Sequence, residues 1–524
     1  MTSPPSWNRR RFLQSGLATA ALPIFSSHGK EDAAIAVGSE RQLFLDDFLI
    51  DTAKTKGVAR SLNRPSRIER VLKPDQPAER FGFIFYCSVV DDGSGTAKLY
   101  HGSYDLEKKR HFAVSTSEDG LHWTNPDLGQ VEFQGSRHNN LLPLDAVETS
   151  VFLDPNAPPE KRYRMLYSRY WPDPEKAGIY LASSADGIHW TASDTRLLPF
   201  VPDSQHCAVW DAEIRKYVIY TRTWNPVRAI TRVAVEDLEK PWPYDTTTPT
   251  RFHWGKDKVP TLSHEFPTVM AVDERDPEGV QLYTNAISKY PWAANAYVGF
   301  PATYQTYNGP DWKDRALNGN DGTFDVQFAS SRDGIAWDRR RSPYVAAGYH
   351  DGLDLRLVSM GPGFVRRGRE LYQYFVGWPH RHGHPSMWEK DMALREEWLQ
   401  KDLGGIYCAT QRVDGFVSME AGYPGGSFTT KPLTFDGDRL LLNLHANGSG
   451  GVKVALLGES GEPLPGFGED DCKWINLDEI DHEVKWKADP ELAQHTGNSV
   501  RLRFTLRNAK VFAFQFMKRD TQKS

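Results

Sequence analysis

Short runs in which apolar and polar residues alternate recur along this chain, punctuated by Gly, Pro, Asn and Asp, a pattern that predicts strands joined by turns. Residues 83–90, 98–102 and 111–116 make one triplet of such runs, residues 149–153, 163–167 and 178–183 a second, and residues 206–210, 216–220 and 229–235 a third. A fourth, longer unit reads as 266–272, 280–285 and 325–329 with an insertion at 297–307. A fifth reads as 357–365, 370–376 and 406–410, with a His-rich insertion before its last strand. Helical periodicity is hard to find outside residues 388–400.

Three triplets end in nearly the same string: Ser117-Glu118-Asp119-Gly120-Leu121-His122-Trp123, Ser184-Ala185-Asp186-Gly187-Ile188-His189-Trp190 and Ser331-Arg332-Asp333-Gly334-Ile335-Ala336-Trp337. Each reads as an Asp-Gly turn at a strand end, with a Trp beyond it to plug a core. The second interval is about twice the first, so a degenerate copy is expected between them. Val235-Glu236-Asp237-Leu238 with Trp242 fits it, and Arg412-Val413-Asp414-Gly415-Phe416 supplies a fifth. The predicted fold is therefore all-β: a five-bladed propeller over residues 37–424, with residues 42–50 closing the ring against the last blade. After Gly425-Gly426 the triplet plan stops, and residues 425–524 are expected to form a small β-sandwich.

Composition narrows the class of protein. At 524 residues the chain exceeds one ordinary core, and a formal net charge of -5 argues against a general nucleic-acid binder. Residues 1–36 carry Asn8-Arg9-Arg10-Arg11-Phe12-Leu13-Gln14 before a weakly apolar stretch too short to span a membrane, which reads as a twin-arginine export signal. A periplasmic or extracellular protein, with no membrane insertion once the signal is removed, is the expectation. Cys87, Cys207, Cys408 and Cys472 are widely spaced and write neither a disulfide framework nor a zinc knuckle.

In a propeller, the residues just before each innermost strand crowd together at one mouth. The blade frame puts Glu79, Glu148, Asp203, Glu265 and Asp354 there, one acid per blade. Carboxylates gathered in a cleft are what glycosidic cleavage requires, because one must deliver a proton while another, ionised, attacks or activates water. Loops after the second strands hold Arg169 and Trp171, Arg222 and Trp224, Trp292, and Trp378 with His380. Aromatic faces beside guanidinium groups are suited to gripping sugar rings. His380-Arg381-His382-Gly383-His384 lies among Pro and Gly without an acidic partner at metal-site spacing, so no metal site is assigned. No cofactor is predicted, and a structural Ca2+ ion in the channel is left open. No G-x-G-x-x-G, P-loop, G-x-S-x-G or H-E-x-x-H string occurs.

Leu43-Phe44-Leu45-Asp46-Asp47-Phe48-Leu49-Ile50, Ser117 to Trp123, Val151-Phe152-Leu153-Asp154 and Asp325-Val326-Gln327 resemble exported planctomycete-type proteins of the five-bladed propeller glycosidase superfamily, which includes invertases, levansucrases and arabinanases. Gly425-Gly426-Ser427-Phe428-Thr429-Thr430-Lys431-Pro432-Leu433 and Pro465-Gly466-Phe467 resemble the sandwich attached to that group. By blade order the resemblance implies a base or nucleophile at Glu79 or at Asp46 and Asp47, a tuning acid at Glu148 or Asp154, and a proton donor at Asp203. The invertase strings W-x-N-D-P-N-G and R-D-P are missing, so the resemblance does not extend to sucrose or fructan chemistry. Sialidase Asp-boxes place one residue between Asp and Gly, whereas here the two are adjacent.

The expected function is a secreted glycoside hydrolase acting on a poly- or oligosaccharide. A non-catalytic, lectin-like glycan-binding propeller is the main alternative, with a sialidase-like enzyme or a structural protein behind it.

Overall fold

The computed structural model describes residues 33–169, 176–225, 227–242, 251–252, 266–306, 321–383 and 391–519. The residues read as an export signal fall almost entirely outside this set. Strands dominate, and no helix among the described residues is long and apolar enough to cross a membrane.

The strands of the propeller group into successive antiparallel units, each starting from an inner strand. Phe83–Val90, Ala97–Tyr104 and Arg110–Ser117 form the first; Val147–Leu153, Tyr163–Arg169, Gly178–Ser184 and Thr191–Ala192 the second. Cys207–Asp211, Lys216–Trp224, Arg228–Val235 and Thr268–Met270 form the third. In the fourth the inner strand is split into Val280–Leu282 and Ser288–Lys289, and its partner into Tyr297–Gly299 and Ala302–Thr306; Gly322–Ser331 and Asp338–Val345 complete it. Leu357–Met360, Glu370–Trp378 and Gly405–Arg412 build the last unit, and Arg67–Leu72 adds its outer strand.

Three expectations change. The stretch 42–50 does not close the ring: Gln42–Leu43 pairs with Arg501–Met517 and Ile50–Lys56 with Gly426–Thr430. Closure falls to Arg67–Leu72, so the N-terminal strands up to Leu62 belong with the C-terminal unit rather than the propeller. Residues 266–272 do not begin the fourth blade either, because Thr268–Met270 is the outer strand of the third. Finally, the supposed insertion at 297–307 is the second strand of the fourth blade, hidden because a break near Asn285 and Phe300 interrupts the pairing on both strands.

The C-terminal unit is one eight-stranded antiparallel sheet folded about its own core. Its long strands Arg439–Leu457 and Arg501–Met517 pair along most of their length, with register shifts where they bend. Phe44, Phe428, Leu442, Val454, Phe504 and Phe514 fill the interior, so the N-terminal segment is packed into this core as well as paired at its edge.

The Asp-Gly strings act as clasps between blades. Asp119 Oδ1 accepts from the Leu121 and His122 amides at 2.8 Å, while Gly120 takes φ 83, a left-handed turn suited to glycine. The freed Gly120 carbonyl accepts from Tyr374 of the last blade at 2.7 Å, and the Trp123 ring meets the same tyrosine edge-on. Gly187 and Trp190 make the same pair of contacts with Tyr100 of the first blade, as do Gly334 and Trp337 with Tyr220 of the third. The three tryptophans are half-buried sealing residues rather than core plugs. The degenerate copy departs for a visible reason: its Trp242 is fully buried beside Leu166, which occupies the register position of Tyr100 in the second blade and offers no hydroxyl.

Candidate functional site

The inner strands all run in one sense, so their N-terminal ends surround one mouth and their C-terminal ends the other. Hydrogen bonds fix their relative heights: the Gln205 side-chain amide donates to the carbonyls of Cys87 and Thr149, and Ser88 Oγ accepts from the Val151 amide. One step toward the N-terminal mouth, that level carries Tyr86, Glu148 and Ser204, and Ser204 Oγ donates to the Tyr283 carbonyl. Glu148, Asp203, Tyr86 and Tyr283 thus belong to one ring of side chains.

Arg222 stands at the middle of that ring. It has no exposed surface, donates to Asp203 Oδ2 at 2.6 Å and to the Pro202 carbonyl at 3.0 Å, and lies 5.0 Å from the Trp224 ring centre and 4.6 Å from that of Tyr283. Against the cost of its burial, the Asp203 carboxylate, with Glu148 adding to it, holds the guanidinium firmly protonated. Burial likewise pushes the Tyr86 hydroxyl well above the usual phenol range, with Tyr283 and Glu148 adding to it.

The two carboxylates sit differently. Asp203 is 39% exposed at its side chain and paired with Arg222, an arrangement that favours the ionised form. Glu148 is only 5% exposed, and its Oε2 accepts from Ser168 Oγ at 2.6 Å. Both residues have left-handed backbones, φ 56 at Glu148 and φ 55 at Asp203. That conformation is uncommon for residues bearing a Cβ, and strain of this kind gathers at functional sites.

A second cluster closes the mouth from the last blade. The Trp378 ring lies 4.1 Å from that of Phe85, tilted by 31°, and His380 lies 4.5 Å from Trp378. Tyr283 Oη is 3.0 Å from His382 Nε2, and Arg381 pairs with the buried Asp321 at 2.8 Å. Asp321 also accepts from the Gly383 amide, so a single carboxylate pins the start of the His-rich segment.

The expected residues separate accordingly. Glu148, Asp203, Arg222, Trp224, Trp378 and His380 come together at this mouth, and Arg169 ends a strand on the same side, with its guanidinium 4.9 Å from the Tyr180 ring centre. Trp171 and Glu265 lie outside the described residues. Glu79 is buried in a short 3-10 turn, Pro77–Glu79, bonded to the Gln76 amide and away from the ring, since the turn carries the chain four residues above the inner strand. Asp354 is an exposed hairpin residue paired with Arg356, because the inner strand begins beyond it at Leu357. Trp292 follows Ser288–Lys289 down to the opposite mouth, the consequence of the one-strand shift in the fourth blade. Among the described residues, then, two of the expected acids meet at this mouth, on adjacent blades, with tyrosines at the matching places in the first and fourth. Tyr86, Ser168, His206 and Tyr283 escaped the sequence reading because it sought acids in loops, whereas these lie within or beside strands.

The opposite mouth opens into a cavity of about 1760 Å³ lined by Asp91, Asp154, Trp210, Lys289, Trp292 and Phe364. Two of its acids are committed to internal partners, Asp154 to Arg164 and Tyr217 and Asp91 to Arg367. Among the described residues, no group of three or more His, Cys, Asp or Glu side chains is arranged to hold a metal ion.

No family model matches the chain, and no curated protein matches it. Among solved structures it is similar to a glycoside hydrolase at 12% identity and TM-score 0.40, covering 66% of this chain and 92% of that one. A glycosyl hydrolase from Bacteroides ovatus matches at 14% identity and TM-score 0.38 over 64% and 93% of the two chains. A thermostable family-43 glycoside hydrolase matches at 15% identity and TM-score 0.37, also over 64% and 93%.

Proposed function

We propose that the protein is a glycoside hydrolase whose N-terminal mouth cleaves a poly- or oligosaccharide, with Asp203 and Glu148 as its carboxylate pair. The observation that carries this reading is the convergence on one buried guanidinium of two acids on left-handed backbone, Glu148 in the inner strand of the second blade and Asp203 just ahead of that of the third. Asp203, held ionised by Arg222 and reachable from solvent, supplies the nucleophile or the base that activates water. Glu148, nearly buried, supplies the proton to the leaving oxygen. Trp224 and Trp378 offer apolar faces to a sugar ring, and Arg169 and His382 offer donors for its hydroxyls. The twin-arginine-like N-terminus supports action outside the cytoplasm.

The test is release of reducing ends from a panel of plant, algal and bacterial polysaccharides and their oligomers by the purified protein. Cleavage that disappears in both Glu148→Gln and Asp203→Asn supports the proposal. Tight binding without cleavage by the wild type replaces it with the lectin-like reading.

A further inference from the structure

Behind Glu148 runs a buried chain of polar groups that substrate binding does not require. Ser168 Oγ lies 2.6 Å from Glu148 Oε2 and 2.9 Å from His206 Nε2, and His206 Nδ1 lies 2.9 Å from Thr221 Oγ1. Ser168, His206 and Thr221 are fully buried. Ser168 comes from the second strand of the second blade, His206 immediately precedes the inner strand of the third and Thr221 lies in its second strand, so the chain crosses the seam between the two blades that carry the acids.

Its direction follows from donor counting. Burial, reinforced by the Arg222 guanidinium, pushes His206 down to about 3, so the imidazole is neutral and has one N–H. Ser168 spends its only proton on Glu148 Oε2 and must accept from His206 Nε2–H. His206 Nδ1 then has no proton and accepts from the Thr221 hydroxyl. Thr221, His206 and Ser168 thus all donate toward the carboxylate. Among the described residues, the other charged or titratable groups facing this part of the mouth include Arg222 and Asp203 from the third blade, Tyr86 from the first and Tyr283 from the fourth.

We propose that His206 is a positioning residue acting through Ser168: the Thr221–His206–Ser168 chain fixes Glu148 Oε2 as a permanent acceptor and so sets the orientation of the carboxyl and the pH at which it ionises. This deepens the reading of Glu148 given above and rests on it for its meaning in turnover. Through the reaction the carboxyl gives its proton to the leaving oxygen and recovers one from water, while His206 stays neutral and the chain keeps its sense. A hydrogen bond made to the charged form lowers the pH at which a carboxyl ionises, so breaking the chain must raise it.

The experiment follows the Glu148 carboxyl by 13C NMR as pH is varied, in full-length protein labelled at the glutamate carboxyl carbon, with Glu148→Gln identifying the signal. Ser168→Ala is expected to move the Glu148 titration upward by about one pH unit, the worth of a single hydrogen bond to a charged group. His206→Ala is expected to move it in the same direction, while Ser168→Thr and His206→Gln, which keep a hydroxyl and a donor, restore it toward wild type. A Glu148 titration unmoved by Ser168→Ala, or moved by Ser168→Ala but not by His206→Ala, overturns the proposal. Because this readout needs no turnover, failure of the glycan panel counts against the hydrolase reading alone. On a cleaved substrate, Ser168→Ala should shift the alkaline limb of the kcat/KM profile upward by the same amount; a fall in rate with an unchanged profile marks a merely structural role and also overturns the proposal.

Discussion

The two ends of the propeller's inner strands lead to mouths built on opposite principles. On the C-terminal side, three blades repeat one clasp: an Asp-Gly turn, a glycine carbonyl accepting from the neighbouring blade's tyrosine, and a Trp edge on that tyrosine. On the N-terminal side, the places around Arg222 carry Tyr86, Glu148, Asp203 and Tyr283, two tyrosines flanking two carboxylates in unlike surroundings. Repetition serves a task that is identical at each seam, namely holding blades together. A reaction at one point in space needs different groups converging from different directions, so the working mouth breaks the repeat.

The sharpest way to break this comparison is to remove charge at the N-terminal mouth while keeping shape. Asp203→Asn and Glu148→Gln are expected to lower kcat by about 10³-fold or more in reducing-end assays, with a melting temperature close to wild type for Glu148→Gln and a lower one for Asp203→Asn, which leaves the buried Arg222 without its anion. Equal losses in rate and stability would make the two acids structural.

A second prediction concerns an acid that belongs to neither mouth. Burial pushes Glu79 up to about 7, above the ordinary carboxyl value expected in the unfolded chain. Below the unfolded value both states are protonated and Glu79 costs nothing. As pH rises from about 4.5 to about 7 the unfolded chain ionises first, so stability falls through that window. Glu79→Gln should be close to wild type near pH 4 and more stable at pH 8, by on the order of 3 kcal/mol in urea unfolding. Equal stability at pH 8 would mean that the folded protein solvates this carboxylate.

Changes to the clasps should leave chemistry alone. Gly187→Ala puts a Cβ at φ 77 against Tyr100 and should cost about 2 kcal/mol of stability. Tyr100→Phe removes one of the two donors to the Gly187 carbonyl, Trp190 Nε1 remaining at 3.1 Å, and should cost about 1 kcal/mol. For both, kcat on any cleaved glycan is expected to stay within about twofold of wild type below the unfolding transition. A clasp variant that is stable but inactive would erase the distinction between the mouths.

The same contrast explains what the sequence made legible. The Ser-x-Asp-Gly-x-x-Trp strings announced the blades because each clasp needs the same residues in the same order, and the first three blades could be read strand by strand. The fourth could not, since its paired strands break near Asn285 and Phe300 and the outer strand of the third blade imitates an inner one. The shared Asp-Gly signal also says nothing about which strand closes the ring; that rests on Arg67–Leu72 meeting Gly405–Arg412, a pairing across almost the whole propeller. At the site, Glu148 and Asp203 were found by their place before the inner strands. Glu79 and Asp354 shared that place in sequence but not in space, because a 3-10 turn and a hairpin carry them away. Ser168 and His206 look like ordinary strand residues, and only the packing of one blade on the next brings them together.

The account stands most directly on the rates of Glu148→Gln, Asp203→Asn and the double variant Glu148→Gln/Asp203→Asn, measured side by side on one cleaved glycan. If the two carboxylates act as a unit, the double variant should be no slower than the slower single variant, within about threefold. Wild-type turnover in either single variant would contradict the assignment of chemistry to the N-terminal mouth.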